Sequence, residues 1–132
     1  MCIRDRLWAT DVCVPISRLT ECIVETRRDI DDSRLVAPIV GHVGDGNFHT
    51  LVLVDTENPD EIAKAEHFIG WLNDLAISMD GTCTGEHGIG QGKMPYLRKE
   101  LGATTDYMAA IKAALDPKNI MNPGKIIPPS PS

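Results

Sequence analysis

The chain has 132 residues, 42% of them hydrophobic and 24% charged, which excludes wholesale disorder and fits one globular domain able to bury a core. Lys+Arg is 13 against Asp+Glu 19, a net charge of −6, which excludes a general phosphate-backbone binder and so a nucleic-acid partner. No apolar run reaches the ~20 residues of a transmembrane span, and the opening MCIRDRLWATDV lacks the apolar stretch of a secretory signal.

In chain order, Met1 to Arg6 shows no pattern. Asp11-Val12-Cys13-Val14-Pro15 reads as a short strand ended by Pro15. Ser17 is a good N-cap for a helix over about 18–30, with Leu19, Cys22, Ile23 and Ile30 on one stripe. Ala37 to His42 reads as a second strand and Phe48 to Val54 as a third. Asn58-Pro59-Asp60-Glu61 is a strong helix start: a capping side chain, Pro in the first helical position, then acids in the first turn. The helix carries Ile62, Ala65, Phe68, Ile69, Leu72, Leu75, Ala76 and Met79, and Gly81 supplies its stop. Thr82 to Gly85 is a candidate short strand. Helices follow over about 93–101, closed by Gly102, and 105–115, stopped at Asp116-Pro117. This order predicts an α+β fold: a ferredoxin-like split βαβ antiparallel sheet with helices on one face, plus C-terminal helices. The tail, residues 128–132, should be extended.

The sharpest motif is GHVGDGNFH (41–49). Asp45-Gly46 between two strands is a strong hairpin signal, because a type I′ turn needs positive φ at both central residues. With those two as the loop, His42 pairs directly with His49 on one sheet face, Cβ atoms roughly 4.5–5.5 Å apart. Two imidazoles at that separation can share a metal at about 2.0–2.1 Å per bond. The same spacing also fits two surface imidazoles with no ligand.

The second motif, GTCTGEHGIGQGK (81–93), is glycine-rich. It is neither a P-loop nor a dinucleotide fingerprint, because His87, Met94 and Lys93 stand where those patterns need Gly, Ser/Thr and Gly. Glu86 can complete a site of two histidines and one carboxylate. His87, adjacent in sequence, diverges from Glu86 on extended backbone and suits an acid or base facing a bound substrate. The alternative is a solvent loop whose glycines serve only the turn. The HExxH pattern of zinc hydrolases does not match. His67 reads as an ordinary helix residue. The cysteines, Cys2, Cys13, Cys22 and Cys83, form no CxxC pair and read as reduced thiols of a cytoplasmic protein.

Three segments together, GHVGDGNFH (41–49), TGEHGIGQGKMPYL (84–97) and LDPKNIMNPGKIIP (115–128), resemble the C-terminal part of FAD-linked D-2-hydroxyacid dehydrogenases. Within that family the similarity points to the cytochrome-linked D-lactate dehydrogenases and the glycolate oxidase D subunit. TDVCVPISRL (10–19) is similar to the segment opening the last strand–helix unit of their substrate domain. The resemblance sets residues 7–127 as a partial FAD-linked oxidase C-terminal domain, a fragment without the N-terminal FAD-binding domain. It implies FAD as cofactor and a divalent metal, zinc or manganese, held by His42, His49 and Glu86. It implies His87 as the base, and cofactor contacts from Asn122 and Lys125, whose other reading is a Pro-Gly turn closing the domain. The implied substrate is a small 2-hydroxy acid. Leu51 stands where a dicarboxylate-specific branch has Asn, which favours lactate or glycolate. The implied electron acceptor is a cytochrome, a quinone or an electron-transfer flavoprotein. The expected location is cytoplasmic, including the periphery of a membrane, or mitochondrial in a eukaryote. Rival readings are a non-catalytic ferredoxin-like metal-binding or interaction domain, and a hydrolase using the same three ligands.

Overall fold

The computed structural model describes residues 5–127, so the tail expected over 128–132 and Cys2 lie outside it. The elements are β1 (Asp5–Ala9), β2 (Val12–Cys13), α1 (Ile16–Ser33), β3 (Ile39–His42), a 3-10 turn (Val43–Asp45), β4 (Asn47–Asp55), α2 (Pro59–Ser78), α3 (Met94–Leu101) and α4 (Thr104–Leu115). The chain divides into two compact units between Glu86 and His87. The first holds the sheet with α1 and α2; the second holds α3 and α4. This is the mixed helix and antiparallel sheet that the pattern predicts.

The central strand is β4. Phe48 pairs with Val12 on one side and with Gly41 on the other. β1 pairs with the far half of β4, from Asp5↔Asp55 to Ala9↔Leu51, in the same register as Val12↔Phe48. Asp5–Cys13 is therefore one antiparallel line, interrupted only at Thr10–Asp11. The strand expected from Asp11 thus starts earlier, at Asp5, because its long partner β4 extends the ladder. The expected fourth strand over 82–85 reduces to an isolated bridge, Cys13↔Thr82.

Alternation along β4 sorts its side chains onto two faces. Phe48, Thr50, Val52 and Val54 are buried against α1 and α2, through Leu19, Cys22 and Ile30 of the first helix and Ala65, Phe68, Leu72 and Ala76 of the second. Asn47, His49, Leu51 and Leu53 take the opposite face, away from the helices.

Helix boundaries follow local chemistry, with two corrections. At α2, the Asn58 side chain accepts from the Asp60 N–H at 3.1 Å, as the sequence predicts. At α1 the cap is Pro15, not Ser17, and no side chain caps it; the fixed φ of Pro15 already sets the entry. The left-handed residue that ends α2 is Asp80 (φ +60), not Gly81. Asp80 N–H donates to Ile77 O and Gly81 N–H to Ala76 O, closing the double bond pattern of a left-handed helix stop. Gly81 is needed for closeness instead: a Cβ there would lie 2.3 Å from the Cys13 carbonyl oxygen.

The second unit is smaller. Arg98 ties α3 to α4 through Thr105 Oγ1 (2.8 Å) and Asp106. Beyond α4, Asp116 accepts from the Ile120 and Met121 N–H groups and from Lys112, organising the turn.

Candidate metal centre

The hairpin between β3 and β4 is not the two-residue turn expected. Val43–Asp45 form the 3-10 turn, and Gly46 closes it at φ +74. Val14 N–H donates to the Gly46 carbonyl at 3.0 Å, pulling the loop tip onto the end of β2. The loop therefore takes four residues, and His42 pairs with Asn47 rather than with His49. His49 instead faces Val40 across the ladder. The correction moves the register by two residues, an even step, so both histidines keep the same face. They are diagonal neighbours, with ring centroids 6.2 Å apart and planes at 89°.

Glu86 reaches the same place from the loop after α2. Its carboxylate oxygens lie 3.1 Å from His49 Nε2 and 3.9 Å from His42 Nε2. One ligand atom from each of His42, His49 and Glu86 falls within 4.8 Å of the others. Bonds of about 2.0–2.2 Å to a common ion place such atoms roughly 3.3 Å apart. Of the two imidazoles, His42 is the one with room to adjust, its side chain being 63% exposed.

The tautomer of His49 is fixed by its surroundings. Nδ1 lies 3.0 Å from the Thr10 carbonyl oxygen, which can only accept, so Nδ1 carries the proton. Nε2 is then the nitrogen that faces Glu86 and the one available to an ion. The local field is negative. Burial first, then the Asp11 and Asp45 carboxylates, push the Cys13 thiol above its usual range. Two imidazoles, one carboxylate and a negative surround are a donor set that fits zinc or another borderline divalent ion.

The remaining expected residues lie in the second unit. His87 is exposed and opens that unit. Asn122 (φ +47) and Lys125 line one hollow of ≈ 290 Å³ together with Lys112 and Asp116. Cys83 is fully buried. Asp11, Asn47 and Thr84 surround the centre but were invisible to sequence reasoning, because nothing local in TDVCVP announces which strand lies beside it.

Comparison with known proteins gives the family. The family model of FAD linked oxidases, C-terminal domain, matches residues 6–126. The chain belongs to that family. It is 51% identical over 123 residues to "Probable D-lactate dehydrogenase, mitochondrial" of Danio rerio, covering 92% of this chain and 25% of that protein. It is 50% identical over 121 residues to "D-lactate dehydrogenase [cytochrome], mitochondrial" of Arabidopsis thaliana, covering 91% and 21%. With glycolate oxidase subunit GlcD of Bacillus subtilis it shares 47% over 87 residues, 65% of this chain and 18% of that one. This FAD-linked oxidase domain thus spans a quarter or less of the length of these relatives. A solved structure, 4-ethylphenol oxidase from Gulosibacter chungangensis, shares the fold at a TM-score of 0.65 and 20% identity, over 97% of this chain and 26% of that one.

Proposed function

We propose that this domain serves the FAD-dependent oxidation of a small D-2-hydroxy acid, D-lactate or glycolate, to its 2-oxo acid. The observation that carries the reading is the convergence of His42, His49 and Glu86 on one point, in a family whose relatives are named D-lactate dehydrogenase and glycolate oxidase. These three side chains would hold one divalent ion, zinc or manganese. A metal there supplies Lewis-acid polarisation and orientation of the substrate's carboxylate and 2-hydroxyl oxygens.

His87 is the proposed base, its imidazole accepting the 2-hydroxyl proton. Oxidation also removes hydride from C2, and the flavin supplies that acceptor chemistry. The hollow lined by Asn122 and Lys125 offers these two residues as the contacts to a flavin edge. Leu51, two residues beyond His49 on the same face of β4, offers no polar partner to a second carboxylate, which supports a monocarboxylate substrate. Relatives named for cytochrome and for mitochondria support a cytochrome as electron acceptor, and a mitochondrial site in a eukaryote.

The test is calorimetric titration of the purified full-length protein with zinc and manganese, followed by stopped-flow bleaching of flavin absorbance on adding D-lactate. A His42→Ala, His49→Ala double variant should lose the metal. His87→Ala should keep it and slow bleaching by ~100-fold or more. Unchanged metal stoichiometry in the double variant overturns the ligand assignment, and an unchanged bleaching rate removes His87. Absence of flavin from the purified protein would favour a non-catalytic metal-binding domain.

A further inference from the structure

The break between β1 and β2 puts a fully buried carboxylate beside the metal centre. Asp11 is 0% exposed. On the shared register it lies opposite His49, and its Oδ1 is 3.7 Å from His49 Nδ1. Donors from distant segments converge on it. Asn47 Nδ2 donates to Oδ1 at 3.0 Å and Thr84 Oγ1 donates to Oδ2 at 2.9 Å. The Glu86 backbone N–H donates to both oxygens, at 3.0 and 3.2 Å. Each of these is the complement of a carboxylate, which only accepts.

We propose that Asp11 is a positioning residue for the metal centre: it clamps the Glu86 backbone and so aims the Glu86 carboxylate at His42 and His49. The inference rests on the metal reading above. The clamp is needed because Glu86 sits in a segment with no regular structure, so neither helix nor ladder bonds hold its main chain. The Asp11 carboxylate replaces them with charge-assisted bonds. The neighbouring residue performs the parallel task for a second ligand, since the Thr10 carbonyl oxygen fixes the His49 ring. One dipeptide, Thr10–Asp11, thereby orients two of the three ligands. Partners that orient metal ligands commonly contribute 10–100-fold in metal affinity.

The decisive variant is Asp11→Asn, which keeps size and shape. Whichever way the new amide turns, the negative charge is gone and its NH2 takes the place of one of the two oxygens that the Glu86 N–H reaches; facing Thr84, that NH2 can donate to the hydroxyl, and facing Asn47 it meets another donor. Zinc affinity of the full-length protein, by calorimetry, should fall ~10–100-fold at unchanged stoichiometry. In a Glu86→Gln background the same change should cost less than about threefold, because Asp11 acts through Glu86. Should Asp11→Asn fail to fold, Thr84→Val removes one anchor of the clamp and should weaken zinc by several-fold. The proposal is overturned if Asp11→Asn, or failing it Thr84→Val, binds zinc within about twofold of wild type, or if Asp11→Asn weakens zinc equally in the Glu86→Gln background. Unchanged zinc binding in His49→Ala and Glu86→Gln singly would instead overturn the metal reading beneath it.

Discussion

The loop carrying Glu86 approaches the sheet so closely that Gly85→Ala is a direct probe of the site's construction. A Cβ at residue 85 would lie 1.5 Å from Asn47 Nδ2, 2.7 Å from Asn47 Cγ and 2.9 Å from Asp11 Oδ1. Ordinary contact is about 3.5–4.0 Å, so something must retreat by roughly 2 Å. If the loop retreats, the Glu86 N–H bonds to Asp11, now 3.0 and 3.2 Å, are broken. Bonds to a charged group contribute about 1.5–3 kcal/mol. If Asn47 turns aside instead, its bond to Asp11 is lost, and leaving a buried polar group unsatisfied costs about 1–3 kcal/mol. Either route costs about 2 kcal/mol, without removing one atom of the hydrophobic core. Urea unfolding should report that loss by either route, and where the loop is what retreats, Glu86 moves with it and zinc titration should report about tenfold weaker binding. Stability within about 0.5 kcal/mol of wild type would show that the loop does not pack here as described.

Two further perturbations test the units separately. Phe68 is fully buried beside Trp71, ring centroids 6.1 Å apart, so Phe68→Ala should destabilise the first unit by about 3–5 kcal/mol, read from denaturant unfolding followed by tryptophan fluorescence; a loss below about 1 kcal/mol would remove it from the core. In the second unit, the Lys112 hydrogen bond, then those from Met121 and Ile120, hold the Asp116 carboxyl below its usual range. A lowered folded pKa stabilises at pH above the unfolded value and is lost as pH falls through the folded one. Asp116→Asn should therefore be less stable than wild type at neutral pH, and the gap should close on acidification below about pH 4. A gap that stays constant down to about pH 2 would refute this.

What the sequence made legible was whatever depends on neighbours within one turn of chain or on parity. Asn58, Pro59, Asp60 and Glu61 define the start of α2 by chemistry confined to four residues. The shared face of His42 and His49 survived a wrong register because an even shift cannot flip a side chain. What was not legible depends on long-range contact. The loop length at Val43–Gly46 is set by Val14, and the end of α2 by Asp80 turning left-handed so that Gly81 can meet Cys13. Asp11 was read as the first residue of a strand, whereas its partners Asn47, Thr84 and Glu86 come from β4 and from the loop after α2.

The three proposed ligands differ in freedom, and that difference explains why an orienting carboxylate belongs here. His49 is on the central strand, paired with Val40 on one side, with its ring held by the Thr10 carbonyl on the other, and its side chain is 9% exposed, so its direction is set by its surroundings. His42 ends an outer strand and Glu86 stands on a loop, with side chains 63% and 50% exposed. Fixing a long carboxylate side chain costs up to about 2 kcal/mol of rotamer entropy, and fixing the backbone of one residue about 1–2 kcal/mol more. His42 avoids the second cost because its ladder partner Asn47 already fixes its main chain. Glu86 has no ladder, and without a tether both costs would fall on metal binding. The Asp11 clamp moves the backbone part into folding, where the buried Asp11–Asn47–Thr84 bonds offset it. For Glu86, as for His42, the side chain alone then remains to be ordered when an ion arrives.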